Sequence, residues 1–369
     1  MQRYLRILVL MGVLLTGGCS GEDGPKYERQ DKLTWQRDQW DALGQELLRR
    51  LDPEARAENL SAIDAILSAA PWPLQDGQLW TAVQDGKNLQ AVYRLQEKGP
   101  RWEVSREWHR TGTEEEETVH TVSIPLKGAL SIDKEGHRMA DIRLDLQGED
   151  LDQNGILDLQ DALSLTAEAL AADYSVRFAP CRLSGGEASL ACFLSAGGED
   201  LIRYALQTRG LRDFGSEKTL NYPDWDESFR YKEVQLNAEV LEIEADYIGG
   251  IHLKGQVESR KLQEILDQIT PTLSQAEVED LVAQASACLH VNWYYEDRLD
   301  EPRAVLVMLP AHILNRFDDY WTWEPGVRSN DGSVCSLQEF FSGSPFNDSR
   351  DGLRAFLQRL RSLMPFLFA

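Results

Sequence analysis

From about residue 88 the hydrophobic pattern of this chain changes to a period of two. "RWEVSREW" sets Trp102, Val104 and Trp108 against charge. "VHTVSIPL" and "MADIRLDL" continue the alternation, separated by the turn-like stretches "TGTEEEET" and "DKEG". Alternation of this kind puts one face of a strand on a core and the other in water. Strands joined by short turns pair antiparallel. "EVQLNAEVLEIEADY" and "IHLKGQVES" predict a further pair across Gly249–Gly250, and "VNWYY" with "RAVLVML" predicts another hairpin.

Helical periodicity frames this region. Leu33, Trp40, Leu43, Leu47 and Leu51 fall on one stripe of a helix over 32–51. Asp52 caps a second helix with Pro53 at its first position, and Leu60, Ile63, Ile66 and Leu67 form its buried face. Ser274 and Glu277 read as a capping box for a helix over 275–289. "LQDALSLTAEALAADY" is rich in helix formers and predicts a helix beginning near Asp158. "LRAFLQRLRSLMPFLF" predicts an amphipathic C-terminal helix. The expected class is α+β: mostly antiparallel sheet, with helices at both ends and one in the middle. The expected domains are a helical N-terminus plus β region over 32–259, and a C-terminal α+β region over 260–369.

The chain has 369 residues and a formal net charge of −23. A surface this acidic repels nucleic acid and anionic lipid and favours cations, so a DNA or RNA partner is not expected.

Residues 1–18 read as a targeting segment rather than as fold. Arg3 and Arg6 form a basic start, "ILVLMGVLL" at 7–15 is a short apolar run, and "TGGC" leads into Cys19. Nine apolar residues are too few to cross a bilayer as a helix. The arrangement resembles the signal of bacterial lipoproteins, with Thr16 where that family prefers leucine. The resemblance implies lipidation of Cys19, a membrane anchor there and, from Ser20, an outer-membrane location facing the periplasm. Residues 19–31, polar with Gly and Pro, read as a flexible tether.

Four further cysteines, an even number in a chain read as exported, point to disulfides with three possible connectivities. Residues 179–194 read as a hairpin around Gly185–Gly186. With Ser184 opposite Ser189, Cys181 faces Cys192 on an apolar face, which leaves Cys288 for Cys335.

The stretch most suggestive of chemistry is "DLDQNGILDLQD", residues 150–161. Four aspartates and one asparagine alternate around Gly155. Calcium takes six to eight oxygens, and twelve residues in this pattern supply them. The stretch resembles an EF-hand loop, and more closely the dockerin-type loop that ends in Asp. That resemblance implies Asp150, Asp152, Asn154, Asp158 and Asp161 as side-chain ligands, the Ile156 carbonyl as a further ligand, and Leu157 as an apolar anchor. It covers about twenty residues, and it departs from the family in having a strand-like segment before the loop and no second loop beside it.

Other candidates are weaker. No HExxH, GxSxG, P-loop or dinucleotide pattern occurs. His109 and His120 would meet across a turn centred on Glu114–Glu115, but the apolar pattern demands a slipped register that separates them. Trp321 and Trp323 in "DYWTWEP" share one face of an extended chain, as a half-buried strand would show and as a sugar-stacking platform would need. Two functional expectations follow. The first is a non-enzymatic, calcium-stabilised envelope lipoprotein that binds an envelope protein or glycan. The second is a periplasmic hydrolase or glycan-binding protein that uses the aromatic segment 291–323.

Overall fold

The structure is a computed structural model. It describes residues 33–50, 53–71, 74–111, 114–151, 153, 156–157, 161–171, 174–184, 186–210, 213–222, 227–296, 298–314 and 318–349. Helices α1 (Thr34–Arg50) and α2 (Pro53–Ser68) come first. Strands β1 (Leu79–Gln84), β2 (Lys87–Thr111), β3 (Glu114–Lys134), β4 (His137–Glu149), β5 (Ile156–Leu157), β6 (Ala162–Ala171), β7 (Tyr174–Ser184) and β8 (Glu187–Ala196) follow. Then come β9 (Glu199–Arg209), β10 (Asp213–Tyr222), β11 (Glu227–Asn237), β12 (Val240–Tyr247) and β13 (Ile251–Val257). The last third holds α3 (Ser259–Leu266), α4 (Gln275–Ser286), β14 (Leu289–Tyr295), β15 (Ala304–Leu314), β16 (Asp319–Ser329), β17 (Val334–Ser336) and α5 (Leu337–Phe340). The antiparallel sheet is large and the helices few, so the chain is mostly β rather than a balanced α+β.

The chain divides into two compact units, and each is discontinuous in sequence. One contains Met1–Pro53, Glu199–Gln207 and Glu239–Leu357. The other contains Glu54–Gly198, Thr208–Ala238 and Gln358–Ala369. The position 259/260 falls inside the first of these units.

That first unit is built on Trp40. α1 presents Trp40, Leu43 and Leu47 on one stripe, each at most 3% exposed. The Trp40 ring lies 4.7 Å from Phe346, 5.2 Å from Trp293, 5.3 Å from Phe341 and 5.4 Å from Tyr247. Its indole N–H donates to the Tyr295 hydroxyl at 3.2 Å. Edge-on aromatic contacts of this kind add to the area they bury. β12, β13 and β14 pair antiparallel in sequence, with Tyr247 opposite Ile251 across the Gly249–Gly250 turn. Gly255 opposes Val291, where a methyl group would lie 1.8 Å from the His290 carbonyl oxygen. α4 begins at Ser274, whose hydroxyl accepts the Glu277 N–H while Glu277 bonds back, the capping box expected from the sequence. β15 pairs with β14 and, along its whole length, with β16.

The second unit is an antiparallel meander. β1 pairs with the first part of β2, β2 with β3, β3 with β4, β4 with β6, β6 with β7 and β7 with β8. The far end of β2 pairs with β11, which pairs with β10. β4 shows the period-two logic plainly: Ala140, Ile142, Leu144 and Leu146 are buried, while Arg143, Gln147 and Glu149 are exposed. On α2, Ile63 and Ile66 are buried and the Ile66 carbonyl accepts the Trp80 indole N–H at 2.9 Å.

One expected element is overturned. Residues 162–171 form strand β6, not a helix: Ala140 to Glu149 of β4 pair with Ala171 to Ala162 in unbroken register. Ala, Leu and Glu favour helix, but the propensity differences are small against two ladders of tertiary pairing. The segment also alternates, with Leu163, Leu165, Ala167 and Ala169 on one face and Ser164, Thr166 and Glu168 on the other. The predicted C-terminal helix lies outside the described residues. His109 pairs with Glu116 and His120 with Ser105, so the two histidines are well apart.

Candidate functional site

The twelve residues 150–161 form the whole connection between β4 and β6, closed by the pair Glu149 and Ala162. Asp150 and Asp161 are thereby brought to the two sides of one hairpin mouth. Asp161 is 0% exposed, and its Oδ1 accepts the backbone N–H of Leu151 at 2.8 Å. A carboxylate taken out of water this completely requires polar or cationic partners. Midway, Ile156 and Leu157 form a short strand that pairs parallel with Arg101 and Trp102 of β2. Gln153 sits in the left-handed region at φ 59°. Asp152, Asn154 and Asp158 lie outside the described residues. Among the described residues no cluster of three or more His, Cys, Asp or Glu is arranged to hold a metal.

The donor set remains one of hard oxygens on a span fixed at both ends, which suits calcium chemically. What differs from the EF-hand pattern is the exit: a strand, not a helix, follows Asp161.

The cysteine hairpin has a different register from that expected. Ser184 opposes Glu187 rather than Ser189, and Cys192 opposes Phe178 rather than Cys181. The register shifts between Ala179 and Arg182 against β8 and between Phe178 and Cys181 against β6. Pro180 explains the bulge, because proline has no N–H to give a ladder. Cys181 opposes Leu165. All four cysteines are free thiols here. Burial raises the Cys192 thiol to about 11, with nearby Cys181 adding to the shift. Cys288 is buried, its thiol against the Gln284 carbonyl. Cys335 is pushed to about 12 by burial first and then by Glu339.

The aromatic segment sits on β15 and β16. Trp321 opposes His312, and their rings stack at 4.6 Å and 14°. His312 Nε2 lies 2.8 Å from Asp319 Oδ1. Trp323, on the same face, opposes Pro310. Trp293 belongs instead to the Trp40 core and is 0% exposed. Glu324 has a raised pKa, from burial and then from Glu339. Strand alternation turns Glu324, the carboxyl with the raised pKa, to the face opposite Trp321 and Trp323, while Asp319 lies on their face and is held by His312.

A second feature was not singled out from the sequence. A groove of about 510 Å³ lies on the sheet of β4, β6, β7 and β8, lined by Arg143, Asp145, Thr166, Glu168, Arg177 and Phe193 among others. The alternation of "MADIRLDL" already places Arg143 and Asp145 on one polar face. Reading 162–171 as a helix hid Glu168, their cross-strand neighbour.

Cys19 and the tether lie outside the described residues. Among the described residues no helix is long and apolar enough to cross a membrane. No family model, curated protein or solved structure matches the chain.

Proposed function

We propose that this is a calcium-binding, non-enzymatic lipoprotein of the bacterial envelope, anchored through Cys19, whose β-sheet binds another envelope component. The observation that carries the calcium reading is the closure of residues 150–161 by Glu149 and Ala162, with Asp161 buried at the mouth. In this reading Asp150, Asp152, Asn154, Asp158, Asp161 and the Ile156 carbonyl hold the ion, and the ion offsets the repulsion of four carboxylates. The lipid anchor rests on the sequence signal alone. The hydrolase alternative is less favoured, because Glu324 is turned away from Trp321.

The test is thermal unfolding with calcium or with chelator. A lone loop of short aspartates belongs at the weak end of calcium affinity, about 10⁻⁴ M. At about 1 mM calcium, mass action then adds roughly 1.4 kcal/mol. That raises Tm by roughly 3–6 °C for a unit of this size. Magnesium does less, since it demands octahedral geometry and keeps its waters. Asp150→Ala abolishes the calcium response. Identical melting curves in calcium and chelator, with no binding heat at several millimolar, would overturn the reading.

A further inference from the structure

The hairpin of β15 and β16 has two outer edges, and they are finished differently. The Asn330 N–H donates to the Arg303 carbonyl, on the β15 side, and the Ser329 N–H to the Ser333 carbonyl, on the β17 side. From Ser329 to Asp319 the ladder with β15 runs without a register shift. Backbone groups along an antiparallel strand point to alternate sides. Asp319, Trp321, Trp323 and Pro325 therefore direct their main chain away from β15, as Ser329 does.

β15 follows the same rule, and its outer edge is closed. Met308, opposite Pro325, donates its N–H to the Ser286 hydroxyl of α4 at 2.8 Å, and its carbonyl accepts that hydroxyl at 3.0 Å. Pro310, opposite Trp323, has no N–H to satisfy. The outer edge of β16 is open. β17 covers Gly326, Val327 and Arg328, and the chain then turns into α5. Among the described residues nothing accepts the N–H of Trp321 or Trp323. These two donors stand two residues apart, about 6.8 Å, which is the repeat of a strand. The same residues carry the rings. Side chains come closest in the pairs that exchange no backbone bonds, which is why His312 stacks on Trp321 at 4.6 Å. Both tryptophans are half-buried.

We propose that β16 accepts an extended segment of a partner protein as an added strand over Asp319–Trp323, in line with β17. The main chain of the segment bonds to Trp321 and Trp323, and its residues opposite them set apolar side chains against the two rings. A second copy of this chain fits less well, because each copy carries a net charge of −23 and an exposed Asp319 at this edge. A sugar would stack on the rings without calling for the two main-chain donors. The proposal deepens the partner-binding half of the reading above and rests on that half alone, not on calcium or on the lipid.

The experiment uses the full chain and a labelled heptapeptide alternating valine and threonine, followed by fluorescence anisotropy. The peptide binds. The same peptide N-methylated at every residue keeps its side chains, loses its N–H groups and does not bind. Trp323→Val removes the ring, keeps the N–H and weakens binding about two- to fivefold. Trp323→Pro removes the N–H as well and weakens binding at least about tenfold further. That N–H does not face β15, so the melting curve of the proline variant stays close to that of the valine variant; should the proline variant unfold, the N-methylated peptide carries the test on the wild type. Equal losses from the two variants, or undiminished binding of the N-methylated peptide, would overturn the proposal, because the rings alone would then be the site. Binding of chitohexaose with none of the peptide would overturn it and make the rings a sugar platform. A dimer of the free chain in sedimentation velocity, abolished by Trp323→Pro, would overturn it in favour of self-pairing. Each titration is run in calcium and in chelator. Peptide binding with no calcium effect on melting would remove the calcium reading and leave this one; a calcium effect with no peptide binding would do the reverse.

Discussion

Gly44 lies against the backbone of Phe346 so closely that a methyl group on it would sit 2.1 Å from the Phe346 nitrogen. Alanine in a helix interior ordinarily gains about 0.5–1 kcal/mol over glycine. Here the clash is with backbone, which cannot rotate away, and overpacking of this kind costs about 1–3 kcal/mol or more. Gly44→Ala is therefore expected to lower the denaturant midpoint despite its better propensity. A raised midpoint would show that α1 is not seated on the Phe346 segment.

Trp40→Ala removes the ring that touches Tyr247, Trp293, Phe341 and Phe346. Truncating a buried tryptophan costs about 3–5 kcal/mol. Trp40→Phe keeps much of the contact but loses the N–H bond to Tyr295, so equilibrium unfolding should rank wild type above Trp40→Phe, and that above Trp40→Ala.

Glu324 gives a pH dependence with a definite sign. Its folded pKa is raised by burial and by Glu339, so the folded state holds the proton more tightly than the unfolded chain. The associated stability is present below the usual glutamate range and is lost as pH rises through the folded value. Glu324→Gln should flatten that part of the stability profile and stabilise the protein at neutral pH. Glu46 has the opposite sign: hydrogen bonds from Arg49 and Arg50 lower it to about 2, so its contribution is lost only as pH falls toward that value.

The hairpin cysteines carry a chemical prediction. Cys181 and Cys192 are diagonal neighbours displaced by the Pro180 bulge, and both are on the core side of their strands. Oxidation is expected to link them to each other rather than to Cys288 or Cys335, which belong to the other unit. Peptide mapping without reduction reads this directly. In the reduced protein, a Cys192 thiol raised to about 11 should react slowly with maleimide at neutral pH until the chain unfolds.

The sheet was legible in the sequence where one face is wet. β4, β12 and β13 alternate cleanly because a polar residue follows each apolar one, and the Gly249–Gly250 turn marked its own hairpin. The capping box at Ser274 and Glu277 was legible because its signal is wholly local. β6 was not. Its residues Ala162 to Ala171 favour helix one by one, and only the partners β4 and β7, distant in sequence, make the strand the better choice. The register of β7 and β8 differs for a related reason: a straight ladder puts Cys181 opposite Cys192, and Pro180 breaks that ladder. At the candidate calcium site the spacing was readable, but the structure around it depends on β6 and was misjudged with it.

The discontinuity of the Trp40 unit bears on how the chain matures. The contact between Asp41 and Ser344 spans 303 residues of sequence. At about 5–20 residues per second, Ser344 and Phe346 are made roughly 15–60 s after α1. Tyr247 and Trp293, which flank the Trp40 ring from the other strands, are made earlier. Until residues 341–346 arrive, Trp40 therefore has only part of its pocket. The Phe341 and Phe346 segment closes over α1 as a seal, so that a contact between distant parts of the sequence completes the core.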